Sequence, residues 1–325
     1  MANFFNRNLE FSLTGLKPIT NERVSLAQFT NHRMQARISK DVSSRVNNSG
    51  SITITNLNQE TVTAFLTPSS PLNMLYSLKA GYGYERENLA TLSTGAVLAT
   101  DWQHLGGDTS FQLSLTEGHK RLHGRRFKEN FKIEELPERG GAELFLQSLI
   151  DIDYEIVYLP NKEQVISDIR ETEGSGGTSV AMKSDDEILT DILSKAKYSW
   201  FLENNKIYIY KSRGENLVVN LKGTQTRLNF KTGLISANLT ASVDSRFSIY
   251  VSWLKFETLF IPTITPHSSI IMDEPAYRFL DGEYVVYNCS YNLSNKTGAF
   301  NITGKAISRF FIKKFPRLQE FFAET

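Results

Sequence analysis

The sequence has little cysteine, little net charge and no long apolar run, and each shortage excludes a class of protein. Cys289 is the single cysteine, so no disulfide can form within the chain, and a disulfide-rich secreted scaffold is excluded. The 36 basic and 35 acidic side chains leave a net charge of +1, which provides no overall field for nucleic acid or an anionic membrane. No stretch of about 18 apolar residues exists, so we predict no transmembrane helix.

The composition is that of packed domains rather than of a disordered chain. Hydrophobic residues make up 40% of the chain and aromatic residues 11%, which is enough apolar surface to offset the entropy of ordering. A chain of 325 residues is longer than is usual for a domain with a single hydrophobic core, so two or three domains are expected. Its first residues lack the charged start and apolar run of a signal peptide, so we expect assembly in a cytoplasm.

Residues 1–117 are dominated by alternation of apolar and polar side chains, which is typical of half-buried strands. The alternating apolar sets are Leu9, Phe11 and Leu13; Met34, Ala36 and Ile38; Ile52 and Ile54; Met74, Tyr76 and Leu78; and Phe111, Leu113 and Leu115. Turn-forming residues at 47–50 and 106–108 separate the runs, and Asn58 can cap one short helix. Short strands at this spacing predict a sandwich or small barrel.

The next segments have a different character. Residues 118–141 are predicted to be a basic linker, and residues 142–213 a small α+β domain. Ser184 and Glu187 have the spacing of a capping box at the start of a helix, which is followed by a hairpin that turns at residues 203–206. Residues 171–179, rich in glycine and serine, are predicted to be a loop.

Alternation returns after Gly214, so residues 214–309 are predicted to be a second β domain. Cys289 alternates there with Val285, Tyr287 and Tyr291, as expected of a small buried strand residue. Residues 310–325 form a basic and aromatic tail. The fold class predicted from the whole chain is therefore mainly β with an α+β insert, in which two β-barrel or sandwich domains flank the small α+β domain.

No recognisable catalytic or cofactor motif is present, and we predict no enzyme activity, no cofactor and no metal. His119 and His123 have metal-ligand spacing, but no carboxylate accompanies them. Asp151, Asp153 and Glu155 alternate as if on one strand face. They can be read as paired acid–base carboxylates or as a solvated strand edge, and the second interpretation is favoured.

A run of basic residues with interleaved phenylalanines lies between Lys120 and Lys132. Such a run can follow a phosphate backbone, but it also suits a solvated linker or a contact with an acidic neighbouring subunit. Because the rest of the chain is balanced in charge, the last two interpretations are favoured, and we predict no specific nucleic acid binding.

The order of short motifs along the chain resembles the tail hub proteins of contractile and related phages. The motifs of the first domain are Lys40-Asp41, Asn47-Asn48, Ile52-Thr-Ile-Thr-Asn56-Leu57, Thr61 with Leu66, Ala80-Gly81-Tyr82, Gly95 and Gly107-Asp108. Those of the third domain are Gly233-Leu-Ile-Ser-Ala and Asp281-Gly-Glu-Tyr-Val-Val. The type VI secretion spike proteins share these β domains. The segment from Thr258 to Ile271 departs from the usual family pattern, as do the aromatic residues in the third-domain strands.

The resemblance implies a structural role in a virion tail baseplate. Both β domains would be of the tail-tube type, and three chains would form a ring of six such domains. That homotrimer would join a hexameric tail tube protein to a trimeric central spike protein, with the tape-measure protein and baseplate wedge proteins as further partners. Assembly would take place in the host cytoplasm.

Two other functions remain open from the sequence. One is a receptor- or carbohydrate-binding β protein at the tail tip, and the other is a hub with peptidoglycan hydrolase activity. The residues predicted to contact a partner are the tail phenylalanines Phe310, Phe311, Phe315, Phe321 and Phe322. Exposed aromatic residues near a terminus are typical of partner contacts, although these five can equally cap the second β domain of their own chain.

Overall fold

The computed structural model describes residues 6–16, 23–42, 48–66, 73–83, 88–118, 141–151, 154–173, 183–211, 223–244 and 249–308. The basic run between Lys120 and Lys132 and the five tail phenylalanines lie outside the described residues, so their predicted roles stay predictions. No helix within the described ranges is both long and apolar enough to span a membrane.

The first part of the chain forms seven strands and one helix. They are β1 (Arg7–Leu16), β2 (Arg23–Phe29), β3 (Arg33–Asp41), β4 (Ser49–Thr55), α1 (Gln59–Leu66), β5 (Asn73–Tyr82), β6 (Ala90–Leu105) and β7 (Asp108–Glu117). Along β3 every second side chain is buried, as the alternation of the sequence predicts. Asn58 caps α1 by accepting a hydrogen bond from the Thr61 N–H at 2.8 Å, also as predicted.

The middle part forms a second, smaller sheet covered by helices. Its elements are α2 (Gly141–Asp151), β8 (Glu155–Tyr158), α3 (Lys162–Glu173), α4 (Asp185–Lys195), β9 (Tyr198–Glu203) and β10 (Lys206–Lys211). The strand order is β8-β10-β9, with β8 parallel to β10 and β9 antiparallel to it. The predicted capping box is present, since Glu187 accepts a hydrogen bond from the Ser184 N–H at 2.8 Å.

Helix α3 was not expected from the sequence, and the prediction of a loop that begins at residue 171 is wrong for residues 171–173. The physical reason is a narrow apolar face: only Val165 and Ile169 are fully buried, and polar residues surround them. The rest of the predicted loop, residues 174–179, lies outside the described residues. Packing against α2 and α4, rather than a periodic pattern, selects this helix.

The last part returns to strands. They are β11 (Gln225–Leu228), β12 (Leu234–Asp244), β13 (Ile249–Leu259), β14 (Ser269–Met272), β15 (Gly282–Ser294) and β16 (Phe300–Ser308), with one 3-10 turn at Arg278–Leu280. Cys289 is buried on β15, and its thiol donates to the Tyr291 hydroxyl at 3.2 Å, which confirms the prediction of a small core residue.

The two β regions repeat one strand order. Neighbouring strands run β3-β4-β7-β6-β5 in the first region and β12-β13-β16-β15-β14 in the third, and β15 pairs with β3 to join them into one 13-stranded sheet. Side chains of both regions share a continuous hydrophobic core, while the middle region has its own. The predicted fold class, mainly β with an α+β insert between two β regions, is confirmed.

Candidate functional site

Of the residues considered for chemistry, His119 and His123 lie outside the described residues, and the described ones do not come together as a reactive centre. Within the described ranges, no group of three or more His, Cys, Asp or Glu side chains is arranged to hold a metal ion. Asp151 ends helix α2 rather than sharing a strand face with Glu155, and Asp153 lies outside the described residues. Glu155 lies on the edge strand β8 and forms an exposed ion pair with Lys206 at 2.7 Å.

The most unusual chemical feature is an ion cluster buried where the middle region meets the first. Lys40 on β3 is 2% exposed and donates to Glu117 at 2.6 Å. Glu117, at the end of β7, is 0% exposed and also accepts from the side chain of Asn48 and, at 3.4 Å, from the Asn204 N–H. Glu203 on β9 lies 3.8 Å from the Lys40 ammonium. One buried cation is therefore held by two carboxylates from different regions.

The electrostatics of this cluster favour the charged form of Lys40. Burial opposes the charge of the ammonium group, but the carboxylates of Glu117 and Glu203 outweigh burial and raise the pKa of Lys40 above its ordinary value. The ammonium, both carboxylates and the Asn48 amide are engaged with one another. This arrangement suits a fixed structural link rather than proton transfer, for which a pKa near neutrality is needed.

The hairpin of β9 and β10 carries the middle region into this junction. Its two-residue turn, Asn204-Asn205, has positive φ at both positions, as a type I′ turn requires. The Asn48 amide donates to the Leu202 carbonyl at 3.3 Å, and the ring of Phe201 stacks on His267 of the third region with centroids 4.2 Å apart. One hairpin thus contacts both β regions.

We expect Phe201→Leu to lower the free energy of unfolding by about 1–2 kcal/mol, because the aromatic stack on His267 is lost while an apolar side chain still fills much of the space. Thermal unfolding followed by circular dichroism measures the change. Leu144→Ala is the control, since Leu144 lies on the exposed face of α2. Equal effects of the two variants would show that the stack adds no stability.

The first and third regions are joined along their strands. Residues 288–294 of β15 pair with residues 35–41 of β3. Asn295 reinforces the join by accepting from the Met34 N–H at 2.9 Å and donating to the His32 carbonyl at 2.8 Å. The Tyr82 ring packs edge-on against Phe300 with centroids 5.0 Å apart. Main-chain pairing and side-chain packing therefore fix the relation of the two β regions.

Sequence reasoning did not identify two surfaces that the structure brings out. One consists of free strand edges, since β2 and β12 end the described 13-stranded sheet. The other is an exposed aromatic cluster of Phe230, Tyr277 and Phe279, whose rings meet edge to face at 6.3 and 6.0 Å. Glu274 builds this cluster by accepting from the Phe230 N–H at 3.0 Å. No sequence signal marked it, because its residues come from separate turns.

Comparison with known proteins finds similar solved structures but no match by sequence. No protein-family model matches the chain, and no curated protein matches it. The 43 kDa tail protein of prophage MuSo2 from Shewanella oneidensis matches with a TM-score of 0.56 at 8% identity, over 92% of this chain and 98% of that one. A tail protein from Neisseria meningitidis MC58 matches with a TM-score of 0.54 at 8% identity, over 92% and 97% of the two chains.

A third similar structure comes from a larger assembly. A chain of the Francisella PdpA–VgrG complex matches with a TM-score of 0.59 at 9% identity, over 94% of this chain but only 58% of that longer chain. Identities this low show the fold alone, and the shared fold extends over nearly all of this chain. The resemblance that the ordered motifs indicate is confirmed at that level: the chain has the fold of phage tail proteins.

Proposed function

We propose that the chain is the structural hub of a phage-type tail baseplate, in which three copies form a ring that joins the hexameric tail tube to the trimeric central spike. The observation that carries this proposal is the repeated strand order of the two β regions within one chain. Three chains present six such units, so the ring matches a sixfold tube on one face and a threefold spike on the other.

The junction geometry supports this role. In a ring of six units, every second contact lies within a chain, and the pairing of β3 with β15 provides that contact. The ion cluster around Lys40 holds the middle region against the first, so that the insert moves as one body with the ring. The proposed domain boundaries are those predicted from the sequence, after residues 117, 141, 213 and 309.

The proposal assigns a location and partners. The protein acts in the virion tail baseplate after assembly in the host cytoplasm, and it has no enzyme activity. Besides the tail tube and spike proteins, it contacts the tape-measure protein and the baseplate wedge proteins. The tail phenylalanines Phe310, Phe311, Phe315, Phe321 and Phe322 are proposed as a partner contact.

Light scattering after size-exclusion chromatography tests the proposal. We expect the mass of three chains, either for the protein alone or after mixing with the spike protein of the same baseplate. A dimer, or a monomer that stays monomeric in the presence of that spike, contradicts the hub function. The tail protein fold would remain in either case.

The exposed aromatic cluster gives a second candidate function, a receptor- or carbohydrate-binding protein at the tail tip. Phe279 is 69% exposed, and exposed aromatic rings are typical of glycan and protein contacts. The edge-to-face arrangement, however, offers no flat stacking platform, so the hub is favoured. A pulldown on host cells, with Phe279→Ser as the variant, distinguishes the two: binding that this variant loses supports the second candidate.

The remaining alternative is a hub with peptidoglycan hydrolase activity. No observation on the described residues favours it, since Asp151 and Glu155 lie on different elements. Zymography on peptidoglycan tests it directly: clearing that disappears in Asp153→Asn would overturn the structural reading.

A further inference from the structure

We infer that residues 99–105 of β6 pair, antiparallel, with residues 236–242 of β12 in a second copy of this chain. The inference rests on the proposed ring and identifies the strands that close it. The contact is head-to-tail, with different surfaces on the two partners, as a cyclic trimer requires. Its register follows from the repeat inside the chain.

The strands of the two β regions can be aligned through matching bulges. The β6–β7 register shifts between Val97 and Ala99, and the β15–β16 register shifts between Val286 and Asn288. Ala99 therefore corresponds to Asn288, and, counting on from the bulges, Trp102 corresponds to Tyr291. Shared bulges at the same place in two strand pairs make this alignment specific, because a bulge fixes register locally.

The same reasoning matches β12 to β3. Residues that lie directly opposite one another across four strands define the match. These rows are Val97, Leu115, Gly50 and Ile38 in the first region, and Val286, Ala306, Leu254 and Leu239 in the third. Leu239 of β12 therefore corresponds to Ile38 of β3.

The two β regions differ in which strands lie beside the equivalent strands β15 and β6. In the third region, β14 covers β15 from Gly282 to Val285, and β3 then takes over along residues 288–294. In the first region, β5 covers β6 only from Ala90 to Ala96. No strand of the described residues takes over along residues 99–105, although β12, which corresponds to β3, has a free outer edge.

The exposure of Trp102 also indicates that the edge of β6 along residues 99–105 lacks a neighbouring strand among the described residues. Tyr291 pairs with Ile38 and is 0% exposed. Trp102 occupies the corresponding place, lies opposite the buried Phe111, and is nevertheless 42% exposed. Such high exposure is unusual for a large aromatic side chain on the core face of a strand. It is expected when the neighbouring strand that buries the side chain belongs to another molecule.

The transferred register is chemically compatible. Tyr291 opposite Ile38 becomes Trp102 opposite Leu239, an apolar pair like the original. Asn292 opposite Arg37 becomes Gln103 opposite Asn238, two neutral amides. Asp101, the one charged residue among 99–105, faces Thr240, so no like charges meet across the two strands. Among the described residues β12 already ends the sheet, so a second copy can offer this edge without rearranging them.

A cysteine cross-link tests this register. The one native cysteine, Cys289, is buried, so a chain carrying Gln103→Cys and Asn238→Cys presents one new pair. Mild oxidation of the trimer fraction is expected to link chains covalently, and the band of three chains should appear on a denaturing gel. The matched control carries Gln103→Cys and Gln28→Cys, because β2 lies at the opposite end of the described strand order from β12.

A second variant tests the packing. Trp102→Lys is expected to raise the apparent dissociation constant of the trimer more than about tenfold, because it places a charge at the centre of the contact. Leu144→Lys, on an exposed helix face, should leave it unchanged.

The outcomes separate the two proposals. Linked chains from the β6–β12 pair, none from the control pair, and weaker trimers for Trp102→Lys support the inference. A trimer that links through the control pair, or not through the β6–β12 pair, overturns the inference and leaves the hub function standing. Absence of a trimer both alone and with the spike overturns both.

Discussion

Replacing Glu117 by alanine is expected to lower the free energy of unfolding by about 3–5 kcal/mol, which is the usual cost of leaving one partner of a buried ion pair alone. Lys40 is 2% exposed in the wild type, and of the described carboxylates within 4 Å it would keep only Glu203, 3.8 Å away. The Asn48 amide and the Asn204 N–H would lose an acceptor as well. Chemical denaturation followed by tryptophan fluorescence and circular dichroism measures the loss.

The exposed pair Lys206–Glu155 provides the matched control within the same hairpin region. Glu155→Ala is expected to cost less than about 1 kcal/mol, because solvent screens that pair. A second check is the double variant Lys40→Met/Glu117→Gln, whose loss should be smaller than the sum of the losses of the single variants Lys40→Met and Glu117→Gln. Additive losses would show that the two side chains do not interact.

The pH dependence of the same link has a definite sign. The folded state raises the pKa of Lys40 above its ordinary value of about 10.4, so its stabilising contribution is complete below about pH 10. That contribution is lost as the pH rises through the raised pKa. The difference between the wild type and Lys40→Met should therefore be constant from pH 7 to 9 and shrink above pH 10.

The second large effect is expected at Gly95, where Gly95→Ala should cost about 3 kcal/mol or more. A Cβ atom there would lie 2.0 Å from the Thr116 carbonyl oxygen and 2.7 Å from the Gly118 nitrogen. Both are backbone atoms of the strand end that carries Glu117, so relief requires β6 and β7 to separate. Thermal unfolding measures the effect.

Gly107→Ala is the control for this prediction, since it introduces the same methyl group in the same β6–β7 hairpin. Apart from Gly107 itself and its two chain neighbours, no heavy atom lies within 4 Å of a Cβ built on Gly107, and its φ is not in the left-handed region. We expect a change below about 1 kcal/mol, of either sign. Comparable losses for the two glycines would contradict the close approach at Gly95.

Several residues of the motifs that resemble tail hub proteins have physical roles in the structure. Lys40 and Asn48 belong to the buried junction, and Gly95 allows the close approach of two strands. Asn56, with a φ of 59°, donates to Asp108 and accepts from the Thr109 N–H, both at 2.9 Å, so it ties the end of β4 to the β6–β7 turn. These positions share tertiary constraints rather than chemistry.

Local sequence patterns were enough to predict many of the strands, the two helix caps and several turns, but not strands β2, β6, β11 and β14. Alternation along residues 34–38 places Met34, Ala36 and Ile38 in the core, because successive side chains of a strand point to opposite faces. The caps at Asn58 and Ser184 were predictable for a similar reason, since each depends on residues no more than three positions apart.

The way these elements meet depends on contacts between residues that are distant in the sequence. Lys40, Glu117 and Glu203 are far apart in sequence and become one cluster because three strand ends converge. Helix α3 is stabilised by packing against neighbouring helices, which its weakly apolar sequence does not predict. The exposure of Trp102 indicates a missing strand only when it is compared with the burial of the equivalent Tyr291. That comparison needs the fold, because the pairing of distant strands does not follow from local sequence pattern.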